Sequence, residues 1–132
     1  MPIGERTARL SAWRPDLAIS IHHNSLGYTS DVTRVRGTLG LWWADGGEKL
    51  ADCLAASVAA ALGRPQMTTA QQRQALCRNP RFPSALIEVG FMTNVEEYEW
   101  MLHGGAARAG DAVARGVLDY FAAQAAYLDK SR

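Results

Sequence analysis

Two short apolar runs, each ending in an ionisable group, constrain this chain more than anything else in it. Residues 17–21 read Leu-Ala-Ile-Ser-Ile and lead straight into His22, His23, Asn24 and Ser25. Residues 84–89 read Ser-Ala-Leu-Ile-Glu-Val, so that Glu88 follows three apolar positions. Runs this short, partly β-branched and bounded by polar, Gly or Pro residues, predict buried strands rather than helices. A third run, residues 38–43 (TLGLWW), predicts another strand, and residues 75–77 (ALC) a very short one.

Helical patterns alternate with these strands. Residues 4–13 are helix-compatible and end before Arg14-Pro15, where proline disfavours helix in its predecessor. Residues 48–62 place Leu50, Cys53, Leu54, Ser57, Val58 and Ala61 on one stripe, with Gly63 just past the end and Pro65 blocking continuation. Thr93 and Asn94 predict a helix start, with Glu96 and Glu97 in a first turn that favours acids; this helix stops at His103-Gly104-Gly105. A last helix spans residues 106–128, with the stripe Val113, Gly116, Val117, Tyr120, Phe121 and Gln124. Residues 25–37 read as a long loop, a candidate substrate or regulatory element, and residues 66–74 as a polar connection. The alternation predicts an α/β fold with a largely parallel sheet flanked by helices. All of residues 1–132 belong to one domain.

Composition excludes several classes. Hydrophobic residues make up 48% and charged residues 20%, which rules out a disordered chain. Fourteen Lys and Arg against thirteen Asp and Glu leave a net charge of +1, so charge gives no argument for nucleic acid or an anionic membrane. No apolar run has the length of a transmembrane segment, and the first ten residues hold no apolar stretch of a secretion signal. Cys53 and Cys77 lack metal-type spacing.

The strand ends carry the chemistry. In parallel α/β sheets, ligands bind beyond the carboxyl ends of strands, so His22 and Glu88 are expected over one site. For His22 the alternative is a satisfied core histidine. For Glu88 it is a structural salt bridge, to Arg73 or Arg78. A carboxylate among apolar neighbours costs several kcal/mol unless it is protonated, paired or facing a cleft.

The wording around these residues carries a resemblance. Residues 5–25 (ERTARLSAWRPDLAISIHHNS) resemble the segment of zinc-dependent N-acetylmuramoyl-L-alanine amidases that leads into their SIHxN motif. Residues 78–94 (RNPRFPSALIEVGFMTN) resemble the P-x-x-L-x-E-x-G-F-x-x-N motif of the same family. The resemblance implies hydrolysis of the amide between N-acetylmuramic acid and the L-alanine of the peptidoglycan stem peptide. It implies one Zn2+ held by two histidines and a glutamate, with a water in the open position. His22 matches the second of those histidines, a metal ligand, and Glu88 matches the catalytic glutamate. Asn24 matches a motif asparagine expected to shape the loop. Asn94 matches another, with helix capping as its expected role. The resemblance also implies a peptidoglycan or muropeptide substrate and residence in the cell envelope, periplasm or cell wall.

One block of the family pattern has no counterpart here. The Gly-rich DPGHGG stretch with the first zinc histidine, and the glutamate ligand that follows it, are missing; Glu5 falls at a non-ligand position. The reading is therefore of an N-terminally truncated domain, its sheet incomplete for want of N-terminal strands. A missing N-terminal segment or a partner chain would complete the site. Such a chain by itself is expected to expose a strand edge, and to be less stable and more aggregation-prone than a whole domain.

No other residue is expected to fill in. His23 points to the opposite face of the strand from His22. His103 caps a helix end, and Glu96, Glu97 and Glu99 form a solvated face. Of Trp42 and Trp43, one faces the core and the other outward, and Cys53 is an inert core residue. The rival function is a metal-free module that binds cell-wall glycopeptide or a partner protein without cutting.

Overall fold

A computed structural model of the chain describes residues 1–27, 31 and 33–131. Helix α1 spans Ile3–Trp13 and strand β1 Ala18–Asn24. Strand β2 is Leu39–Trp42 and helix α2 is Gly47–Leu62. Strand β3 is Ala70–Gln71, strand β4 Ser84–Phe91, helix α3 Val95–Trp100 and helix α4 Ala106–Lys130. Residues 28–30 and 32 of the loop expected over 25–37 lie outside the described residues.

The sheet order is β1-β4-β2-β3. β1 runs parallel to β4, and β2 parallel to β3, which makes the sheet mostly parallel as expected. The exception is β2, antiparallel to β4. Its geometry explains this. Among the described residues no crossover helix separates β1 from β2, and the chain re-enters the sheet at the end where β1 and β4 finish, Leu39 opposite Glu88, and runs back.

Helices α2 and α4 cover one face. Half of the stripe read from the sequence is buried: Leu50, Leu54 and Val58 are fully enclosed, packed with Ala85, Ile87 and Val89 of β4 and Ala112, Val113 and Tyr120 of α4, whereas Cys53, Ser57 and Ala61 are half-buried and Ala51, Ala55 and Ala59 complete the enclosed face. Side chains such as these contribute about 1.5–3 kcal/mol each. The two helices approach closely where Gly116 faces α2: a Cβ there would sit 2.9 Å from Leu54 Cα. Gly63 ends α2 in the left-handed conformation, its N–H returning to Ala60. Trp42 packs against this core, whereas Trp43 is exposed. Cys53 sits half-buried at the core's margin.

The other face carries a smaller cluster of Leu41, Leu86 and Cys77. Cys77 ends a 3-10 turn over Ala75–Cys77, not the short strand expected there. Three residues hold no period of their own, and the chain must turn across the sheet before β4, closed by Cys77 N–H to Gln74 O. β3 lies within the stretch expected to be a plain connection; its two residues are defined by pairing with Leu41 and Trp42 alone.

β1 departs from the expectation of a strand buried on both faces. Ala18 and Ser20 are buried, but Ile21 is 54% exposed, because β1 is the edge of the sheet. Among the described residues no helix is long and apolar enough to cross a membrane.

Candidate functional site

The register of β1 against β4 sets His22 directly opposite Glu88. Partners in register share a face, so the imidazole and the carboxyl group project from the same side of the sheet, one strand spacing apart. On the other side of Glu88, Leu39 of β2 is its register partner. Glu88 thus stands between an exposed histidine at the sheet edge and an apolar side chain toward the middle. Burial pushes its carboxyl pKa up, with His22 pulling it partly back. Its Oε2 is buried and, among the described residues, without a hydrogen-bond partner. Among the described residues Glu88 forms no ion pair, so the expected alternative of a bridge to Arg73 or Arg78 is absent.

Just past this pair the two strands fall out of step. Between His22 and Asn24 the register slips, as β4 carries one extra residue in the run Val89-Gly90 before Phe91 pairs with Asn24. Such a bulge re-aims side chains at the end of a ladder and recurs beside functional sites. Asn24 closes the strand: its Oδ1 accepts the Ser25 N–H at 2.8 Å, and its carbonyl accepts that of Met92 at 2.8 Å.

His23 takes the opposite side from His22, as period two requires. It is half-buried, and its pKa is lowered by burial, then by the Arg64 guanidinium and His22, with Glu97 opposing. His103 stays exposed and local, its Nδ1 2.7 Å from the Glu99 carbonyl.

Glu97 corrects the expectation of a solvated acidic face. Glu96 and Glu99 are exposed, but Glu97 is only 2% exposed. The Phe91 and Gly37 N–H groups donate to its carboxylate at 2.5 and 3.0 Å, and Arg64 Nε lies 3.5 Å away. Asn94 is the helix cap expected of it, its Oδ1 accepting the Glu97 N–H at 3.2 Å. The Asn94-x-x-Glu97 spacing is the sequence signal that could have exposed Glu97, since it is the reciprocal spacing of a capping box. Here the carboxylate reaches back past the cap to Phe91. Arg64 left no such signal.

A catalytic zinc takes three protein donors and keeps one open position. Of these, His22 would supply one nitrogen, and the buried Oε2 of Glu88, its register partner, has no hydrogen-bond partner among the described residues. Among the described residues, however, no group of three or more His, Cys, Asp or Glu could hold a metal. The residues present therefore fit part of a zinc centre and not a closed one.

Comparison with known proteins gives the family and the fold. The family model described as N-acetylmuramoyl-L-alanine amidase matches residues 1–119. Among solved structures, the amidase AmiC2 of Nostoc punctiforme superposes with a TM-score of 0.82 at 24% identity, over 92% of this chain and 66% of that one. The catalytic domain of CwlV from Bacillus (Paenibacillus) polymyxa var. colistinus gives 0.80 at 20% identity, over 92% and 66%. Ami1 of Mycobacterium smegmatis gives 0.76 at 23%, over 92% and 61%. At these identities the likeness establishes the fold. The chain spans about two thirds of the length of these structures. No curated protein matches it in sequence.

Proposed function

Because this chain belongs to the N-acetylmuramoyl-L-alanine amidase family, we propose that it forms part of a peptidoglycan hydrolase acting in the cell envelope. The bond cut is the amide joining N-acetylmuramic acid to the L-alanine of the stem peptide. Glu88 is the acid–base group and His22 a zinc donor. The observation that carries this reading is the buried, unpartnered Oε2 of Glu88 set beside His22 on the open face of the sheet. An unsatisfied carboxylate costs stability, and a chain that keeps one at a strand end keeps it for chemistry.

The raised pKa suits Glu88 to both halves of an amide hydrolysis. A carboxylate whose proton affinity approaches that of its surroundings takes a proton from the attacking water and returns it to the leaving amine. Leu39 on one flank limits water around the carboxylate and so sustains that affinity. Zinc, when bound, supplies acidification of the attacking water and polarisation of the amide carbonyl. The donors that His22 lacks come, in this reading, from polypeptide outside the 132 residues, aligned along the free edge of β1. That edge exposes Ile21 and its own backbone groups next to His22.

A second reading is a metal-free module that binds cell-wall glycopeptide; the lack of three clustered donors among the described residues favours it. Zinc content and peptide release from muropeptides, measured together on the chain joined to the polypeptide that supplies the remaining donors, separate the two. Glu88→Gln is expected to keep zinc and lose about 10²-fold or more in release. Full activity in that variant sinks the assigned role. A joined protein that stays zinc-free and binds muropeptide without cutting it establishes the binding module.

A further inference from the structure

Behind the candidate site lies a second set of interactions that the proposed chemistry does not use. It is built on the buried pair Arg64–Glu97, whose side chains are 9% and 3% exposed. Each partner holds a different piece of backbone. Glu97 accepts the N–H of Phe91 at the end of β4 and of Gly37 at the entrance to β2. Arg64 Nη1 donates to the Val89 carbonyl at 3.3 Å, and Thr38 Oγ1 reaches the same oxygen at 3.2 Å. The guanidinium also lies 4.3 Å over the Trp100 ring. The bulge at Gly90 is shaped around the pair. A Cβ on Gly90 would lie 2.4 Å from Arg64 Nη1 and 2.9 Å from Glu97 Oε2.

These contacts lie directly beyond Glu88, on its own strand and on the neighbouring β2. The residue after Glu88 is Val89, gripped at its carbonyl, and Phe91 is gripped at its amide. Across the ladder, Gly37 and Thr38 are gripped immediately before Leu39, the register partner of Glu88. Glu88 is the last position of β4 in regular register with β1, and the bulge interrupts the ladder until Phe91 pairs with Asn24, so regular pairing does not hold the residues directly after Glu88. The ion pair replaces that ladder.

We infer that Glu97 is a positioning residue: through Arg64 and the Phe91 and Gly37 amides it fixes the bulge of β4 and the entrance of β2, and so sets the direction in which Glu88 projects beside His22. Its catalytic consequence rests on the reading of Glu88 given above; its structural content does not. A charged acceptor is needed because two backbone donors and a guanidinium converge on one carboxylate, and charge-assisted hydrogen bonds are about twice as strong as neutral ones.

The test compares Glu97→Gln, Glu97→Asp and Gly90→Ala with Val58→Ala, which weakens the core on the α2 side without touching the pair. Amide hydrogen exchange and the backbone resonances of His22 and Glu88 are followed in the chain as it stands. In Glu97→Gln and Gly90→Ala, exchange at Gly37, Leu39 and Phe91 should accelerate at least about tenfold more than at Leu54 in α2, with His22 and Glu88 shifting. Val58→Ala should accelerate exchange throughout and leave His22 and Glu88 in place. On muropeptides, in the joined protein, Glu97→Gln should lower kcat by about tenfold or more with KM within about twofold, and Glu97→Asp should restore part of the loss. Uniform acceleration in Glu97→Gln, or unmoved His22 and Glu88 resonances, overturns the inference. If Glu97→Gln does not fold, Gly90→Ala, which displaces the pair without removing it, decides by the same criteria. If the chain joined to the polypeptide that supplies the remaining zinc donors releases no peptide, the hydrolase reading fails, while exchange and resonances still decide whether the brace holds Glu88.

Discussion

Two carboxylates nine positions apart in sequence have opposite fates in this molecule. Glu97 is enclosed and saturated, by two backbone N–H groups and an arginine. Glu88 is partly enclosed and keeps a buried oxygen with nothing bound to it. Burial alone would penalise the charged form of both. The difference lies in what surrounds them. Glu97 meets strand ends whose amides have no ladder partners left, while Glu88 meets a leucine on one side and an imidazole at the open edge on the other. On the function proposed above, the contrast separates a group used to hold the fold from a group held ready by it.

The sharpest way to break the comparison is to truncate the saturated partner. Glu97→Ala leaves the Arg64 guanidinium buried without a counter-charge and orphans the Phe91 and Gly37 amides. Removing one member of a buried pair costs about 3–5 kcal/mol, which for a single small domain is a large share of the total. Urea melts should therefore show a midpoint shift larger than for any other single carboxylate in the chain. A loss below about 1 kcal/mol would mean that the pair contributes little and that the strand ends are held by something else.

How legible these roles were in the sequence follows from where their causes lie. The strands ending in His22 and Glu88, the stripe of α2 and its Gly63 stop were readable because period, length and punctuation are local. The opposite faces of His22 and His23 follow from the period of a strand. The cap at Asn94 was readable for the same reason. β3 and the turn over Ala75–Cys77 were not, since segments of two or three residues take their form from the sheet they lie against. Glu97 was misread as solvated because its first-turn position explains an acid fully; its partners Arg64 and Gly37 come from other parts of the chain. The exposure of Ile21 depends on the order of strands, which no local pattern encodes. The pairing of His22 with Glu88 came from a rule about parallel sheets together with the family resemblance.

A smaller effect tests the unsatisfied member of the comparison. Burial holds the Glu88 pKa above its ordinary value, so the folded chain binds that proton more tightly than the unfolded one. The sign follows from linkage: this contribution is present in acid and is lost as pH rises from the ordinary carboxylate range through the raised value. Glu88→Gln cannot ionise and should escape the loss. Its melting temperature is expected to exceed the parent's at neutral pH, the gap closing as pH falls into the ordinary carboxylate range. A variant less stable than the parent at neutral pH would show that Glu88 has partners in the free chain, and the contrast with Glu97 would collapse.

The smallest effect supplies the control. Glu96 precedes Glu97 on the same helical turn, carries the same charge and sits in the same dipole field. It too has an arginine, Arg36 Nη1 at 2.9 Å, but the two side chains are 54% and 79% exposed. Exposed pairs contribute about 0–1 kcal/mol, because water already solvates both ions and two long side chains lose freedom in meeting. Glu96→Ala should therefore change the urea midpoint by an amount equivalent to no more than about 0.5 kcal/mol, and added salt should remove most of that. The two adjacent substitutions delete the same chemical group from the same turn, so a large difference between them can only reflect burial and the backbone donors that Glu97 has and Glu96 lacks. A comparable loss from both would place the stabilisation in the helix dipole, and would leave the strand ends around Glu88 without the support attributed to Glu97.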